Sequence, residues 1–116
     1  MALSPNQTVR KISAKISAEE IALAKDYIQN AVHSHCNSNP DKEFSVRTLF
    51  GGDNKDWTDT PLQCIYDYHK YVRMSKDPAE DAAKDVGWLL KSVLSIDARN
   101  FEYAGKNTGN MYKMKQ

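Results

Sequence analysis

Asp77-Pro78-Ala79-Glu80, with the run from Asp81 to Lys115 behind it, is the stretch whose reading decides the fold. Asp77 is a short polar residue able to accept from an orphan N–H of a first helical turn. Pro78 stands where its missing N–H costs nothing, and Glu80 completes a capping signature. Ala82, Val86, Leu89, Leu90, Val93 and Ile96 recur at helical spacing and are expected to face inward, so a helix is predicted over 78–97. Beyond it, Phe101-Glu102-Tyr103 and Met111-Tyr112-Lys113 flank Gly105-Lys106-Asn107-Thr108-Gly109-Asn110, a loop rich in residues that tolerate positive φ. A closing β-hairpin over Asn100–Lys115 is the expectation.

Two more signatures lie upstream. Ser17-Ala18-Glu19-Glu20 opens a predicted helix over 18–36, whose stripe is Ile21, Ala24, Ile28, Ala31, Val32 and His35. Asn37-Ser38-Asn39-Pro40-Asp41 ends it with turn chemistry. Thr60-Pro61-Leu62-Gln63 opens a second predicted helix over 61–73, with Leu62, Ile65, Tyr66, His69 and Val72 on one side and Tyr68 and Tyr71 off it. Between them, Phe44, Val46, Thr48 and Phe50 alternate. A strand at Phe44–Val46 passing into a helical turn, with Ser45 able to cap it, is expected. Gly51-Gly52-Asp53-Asn54 reads as a loop, with Trp57 anchoring it to the core. Met1–Lys15 is polar with scattered small residues, so the division is a polar arm over 1–16 and a single domain over 17–116.

The chain has 116 residues, 41% hydrophobic and 27% charged, which suits one soluble globular domain with a single core. No apolar run approaches the roughly 20 residues that span a bilayer, and Met1–Lys15 lacks the apolar core of a secretory signal, so a cytoplasmic protein with no membrane partner is expected. Cys36 and Cys64 are outside any CxxC pattern and read as two free thiols. The net charge of +1 hides an uneven distribution. Arg10, Lys11 and Lys15 make the first end basic. Arg99, Lys106, Lys113 and Lys115 against Glu102 do the same for the last, and the middle is acidic.

The order helix, short strand, helix, helix, strand, strand resembles the winged-helix arrangement over about residues 17–115. The fold expectation is therefore α+β: three helices with a short strand and a C-terminal β-hairpin, winged-helix-like. The chain is also similar to small bacterial domains of unknown function. The similarity lies in Phe44-x-Val46-x-x-Leu49-Phe50, the Trp after it, Val86-Gly87-Trp88-Leu89-Leu90-Lys91 and the closing Tyr112-Lys113. Such a family implies no established activity.

No motif carries enzyme chemistry. His33 and His35 point about 160° apart on a helix and cannot share one ion, so a metal would need a tertiary approach of His35 or Cys36 to His69 and Cys64. A buried histidine with a hydrogen-bonded nitrogen is the simpler expectation. Cys64, in a first helical turn, could have its pKa lowered by the helix dipole, yet an unreactive thiol is the default. Asp53, Asp56 and Asp59 lack the spacing of a calcium loop, and the Gly105–Gly109 stretch is not a Walker loop. No catalytic residue, metal, cofactor or small-molecule substrate is expected.

Binding is the remaining class, and the leading expectation is a non-catalytic binding module that is nucleic-acid-associated or regulatory. Arg10, Lys11, Lys70, Arg73, Lys106 and Lys113 are the candidate nucleic-acid contacts, with Lys106 at the tip of a wing and DNA as the partner. Asp77, Glu80, Asp81 and Asp85 oppose a phosphate-lined groove at the start of the third helix. Trp88 shares a face with Asp81, Lys84, Asp85, Ser92 and Ser95, and Gly87 beside it suggests another element approaching closely. The alternative is a protein-interaction module or homodimer, such as an accessory protein of a mobile element or phage, using Tyr68, Tyr71 and Trp88.

Overall fold

The helical capping signatures place the first and last helices almost to the residue. In the computed structural model, which describes residues 2–4, 12, 14–50, 57, 59–97, 99–107 and 109–114, α1 is Ala18–Ser38. Its box is reciprocal: the Glu20 N–H donates to Ser17 Oγ at 3.0 Å and the Ser17 N–H to Glu20 Oε1 at 2.9 Å. The last helix, α4, is Pro78–Ile96. There Asp77 accepts the Glu80 N–H at 3.1 Å, but its own N–H goes to Ser75 Oγ at 3.2 Å. Glu80 turns instead toward Lys84.

The middle of the chain departs further from its signature. Thr60 Oγ1 donates to the Trp57 carbonyl at 2.7 Å and accepts the Leu62 N–H at 3.2 Å, so it closes a turn rather than a capping box. The helix, α3, starts only at Gln63 and runs Gln63–Asp67, with Gln63 donating to Asp67 at 2.7 Å. It continues as a π-helical turn over Tyr68–Val72. Between α1 and α3, Phe44 makes a single antiparallel bridge to Tyr112, with both N–H···O distances 2.8 Å. The helix α2, Val46–Phe50, begins at once behind it. Ser45 caps it reciprocally with Thr48. The expected strand is thus one bridge long because Ser45 is spent on the cap.

The fold is α+β, with four helical segments and a C-terminal antiparallel hairpin, compatible with a winged-helix-like arrangement. The strands are β1 (Ala2–Ser4), β2 (Asn100–Asn107) and β3 (Gly109–Met114), in the order β1-β2-β3, with β1 parallel to the central strand. The segment expected as a polar arm thus supplies a strand, and Ala14 is buried with Ile12 and Ile16 packed against the core. In the hairpin, Glu102 pairs with Lys113 and Tyr103 with Tyr112. The register slips between Tyr103 and Lys106, where Gly105 has φ +96°, and pairing resumes at Lys106↔Asn110. The expected loop is therefore largely ladder.

The core lies between α1 and α4. Ala24, Ile28, Val32 and Cys36 of α1 are buried, as are Ala82, Val86, Leu89, Leu90, Val93 and Leu94 of α4. Phe44 ties this core to the hairpin, edge-on to Phe101 at 5.9 Å and beside Tyr112 at 6.2 Å. Trp57 packs against the core and donates to the Phe50 carbonyl at 3.3 Å, the anchoring role its setting suggested. Two stripe residues are not inside. Ile96, the last residue of α4, is 75% exposed because Leu94 completes the buried stripe and the core ends there. Val72 is 69% exposed because the wider π turn advances each residue less about the axis, so it no longer stacks on His69. Among the described residues no helix is long and apolar enough to cross a membrane.

Candidate interaction site

A strained residue follows two positions after the π turn. Met74 has φ +56°, a left-handed conformation without a glycine's freedom, which costs about 1–2 kcal/mol. Two hydrogen bonds hold it. The Arg73 N–H donates to the Tyr68 carbonyl at 2.9 Å, and the Ser75 N–H reaches back to the His69 carbonyl at 2.8 Å. The outcome is a short protrusion on which Tyr71, Val72 and Met74 are 65%, 69% and 75% exposed. Lys70 lies beside it, its ammonium 5.2 Å from the Tyr71 ring and 5.6 Å from that of Tyr66.

Beneath the protrusion runs a chain of polar groups. His69 is fully buried, and its Nε2 lies 2.7 Å from Oδ2 of Asp85, itself 2% exposed. The same oxygen accepts the Ala14 N–H at 3.0 Å. His69 Nδ1 faces Arg73 Nη1 at 3.1 Å, and that nitrogen also contacts Asp81 Oδ2 at 2.9 Å. Ser75 donates to the same Asp81 oxygen. A guanidinium only donates, so Nδ1 must accept and Nε2 carries the ring proton toward Asp85. The Asp81 carboxyl is held below its usual range, first by the Ser75 hydroxyl and then by Arg73. Apart from the Ala14 link, every one of these contacts has an end in the 68–75 segment.

Asp85 is the residue that sequence reasoning misplaced. Assigned to the polar face of α4 among acids opposing a phosphate groove, it is instead buried. The readable signal was position: Asp85 is three residues after Ala82 and four before Leu89, at the edge of the apolar stripe. His69, inside the apolar stripe of the helix predicted over 61–73 and placed in the π turn, is the complementary signal.

The sequence-based candidates are scattered. Arg10 and Lys11 lie outside the described residues. Lys70 is exposed, whereas Arg73 is half-exposed and engaged by Asp81 and His69. Lys106 stands opposite Asn110 in the ladder, and Lys113 is half-buried opposite Glu102. Tyr68 is half-buried, edge-on to His69 at 5.4 Å, and only Tyr71 of the two tyrosines projects. Trp88 is half-buried, with the Lys91 ammonium 4.6 Å above its ring. The close approach expected at Gly87 is not seen among the described residues: apart from its chain neighbours and its own helix's backbone, none has an atom within 4 Å of where its Cβ would stand.

The remaining chemistry is separate. His35 donates through Nε2 to the Lys42 carbonyl at 2.9 Å, and His33 accepts from Asn37 at 3.1 Å. Among the described residues no group of three or more His, Cys, Asp or Glu could hold a metal ion. Cys36 and Cys64 are free thiols. Burial pushes the Cys64 thiol up, with Glu20 adding to it, which reverses the lowering expected from the helix terminus. Comparison with protein-family models, curated proteins and solved structures gives no match.

Proposed function

We propose that the protein is a non-catalytic protein-interaction module that presents Tyr71, Val72 and Met74 to a partner. The observation that carries the reading is a set of large apolar side chains held more than half exposed on a strained turn. Free surface of that kind is normally the most easily lost, yet here buried charge is committed to fixing it. Residues 70–76 hold no acid, and beside Arg73, which Asp81 already engages, they present exposed Lys70 and Lys76. The matching partner is therefore a protein with an apolar pocket rimmed by carboxylates. His69 supports the non-catalytic part: its ring is fully buried, with both nitrogens engaged.

Selection of a random peptide library on the folded protein tests this. The expected outcome is enrichment of apolar residues flanked by Asp or Glu, lost on the double variant Tyr71→Ser/Met74→Ser at unchanged stability. Equal enrichment on the variant, or none on the natural protein, overturns the reading. Light scattering across a concentration series reports whether the partner is a second copy.

A second reading, nucleic-acid association, keeps one observation: Lys70 lies between two tyrosine rings, a pairing suited to stacking on single-stranded bases. Its mark is salt. Binding of a generic single strand at ~50 mM salt that falls steeply as salt rises would favour it over the protein partner.

A further inference from the structure

We infer that His69 is a proton-operated latch on the 71–74 surface: a proton gained at Nδ1 ejects the Arg73 guanidinium and loosens the turn that holds Tyr71, Val72 and Met74 outward. The functional consequence rests on the interaction reading above; the latch itself is a property of the free protein.

Donor and acceptor counting leads to it. Neutral His69 accepts from Arg73 at Nδ1 and donates to Asp85 at Nε2. An imidazolium has two donors and no acceptor. Its new N–H would meet the Arg73 Nη1 donor across 3.1 Å, donor to donor and cation to cation. The ring is fully buried, so water does not relieve the clash from outside.

Among the described residues, the groups facing His69 decide which contact gives way. From α4, the Asp85 carboxylate touches Nε2 and attracts the imidazolium, and Asp81 acts through Arg73. From the segment carrying the histidine come Arg73 and the Tyr68 ring. From the segment before α1 comes the uncharged Ala14 N–H, on the same Asp85 oxygen. Asp85 therefore holds the charged ring in place. Arg73 moves, because its side chain is half-exposed and Asp81 already offers it an outward hold. Its own N–H closes the π turn on Tyr68, and its neighbour Met74 carries the strain. Shifting Arg73 therefore strikes the point where the turn is closed.

NMR on the free protein tests the latch without any partner. Imidazole nitrogen resonances report whether the His69 ring carries one proton or two as pH is lowered from about 8 to 5. Amide exchange, corrected for its intrinsic rate, reports the Ser75 and Arg73 N–H groups. Protonation of the ring is expected to lower their protection by about tenfold while the α1 amides of Ile28 and Val32 hold theirs. His69→Gln keeps a donor and an acceptor but cannot gain a proton, so its response to pH is expected to vanish. Arg73→Met removes the group to be ejected and keeps the test decisive if the glutamine variant does not fold. A ring that stays neutral to pH 5, protection unchanged after it titrates, or a full response in either variant overturns the latch. Failure to find a peptide partner would count against the interaction reading alone.

Discussion

Asp85 lies near the middle of α4 and Asp97 caps its C-terminus, both nearly buried, and each meets a histidine or arginine, yet their partners come from different distances. Asp97 pairs with Arg99, two residues on, through both carboxylate oxygens at 2.9 and 2.8 Å. It also accepts the Arg99 N–H at 2.8 Å and Gln29 of α1 at 2.6 Å. That arrangement is local. It turns the chain from α4 into β2 and pins the corner to α1. Asp85 reaches His69 across sixteen residues and Ala14 across seventy-one. It joins three segments that nothing local would hold together. A local pair stabilises a corner; a long-range one sets where a surface stands.

The largest expected effect breaks the long-range side. Asp85→Ala leaves two donors without their acceptor, the Nε2–H of a fully buried neutral histidine and the Ala14 N–H, at about 1–3 kcal/mol for each. Urea unfolding should show a midpoint lowered accordingly. A loss near the ~1 kcal/mol of an ordinary surface hydrogen bond would mean that water replaces the carboxylate and the site is not sealed.

Asp97→Asn is the matching change at the second aspartate, with a smaller expected cost of about 2 kcal/mol, because Arg99 is partly exposed and can turn to solvent. Its pH signature is sharper. Hydrogen bonds from Arg99, then from its backbone and Gln29, hold the Asp97 carboxyl well below its ordinary 3.8. A group depressed on folding contributes stability that is whole above the unfolded value and drains as pH falls toward the folded one. Stability of the natural protein should therefore fall from about pH 4 downward, with a shallower slope in Asp97→Asn. Parallel slopes for the two proteins would remove Asp97 from the acid response.

How much of this contrast was readable follows the same division between local and distant. The Ser17 box, the Asp77 cap and the hairpin were readable because a cap or a turn is decided within three or four residues. Thr60 wore the same signature and failed, because its hydroxyl found the Trp57 carbonyl first. The π turn was invisible: Tyr68-His69-Lys70-Tyr71-Val72 has nothing that distinguishes it from an α-helical stretch, and its widening moved Val72 out of the core. The buried network was half-visible. His69 and Asp85 each sat on or beside an apolar stripe, but nothing in either helix said that they would meet. The strand at Ala2–Ser4 was missed because its pairing with β2 spans nearly the whole chain.

The smallest expected effect lies between the two aspartates. Gly87 stands in α4 two residues after Asp85, with open space where a Cβ would go among the described residues. Alanine there adds no clash and removes the entropy that a mid-helix glycine costs, so Gly87→Ala should stabilise by about 1 kcal/mol. Gly105 also has open space but sits at φ +96° in the bulge of the hairpin. Alanine there should destabilise by about the same amount, because the backbone and not the neighbours sets the requirement. Opposite signs in paired urea titrations would show that, with open space at both glycines, backbone conformation alone decides what alanine does. A destabilising Gly87→Ala would instead mean that another part of the chain packs against that face, beside the half-buried Trp88.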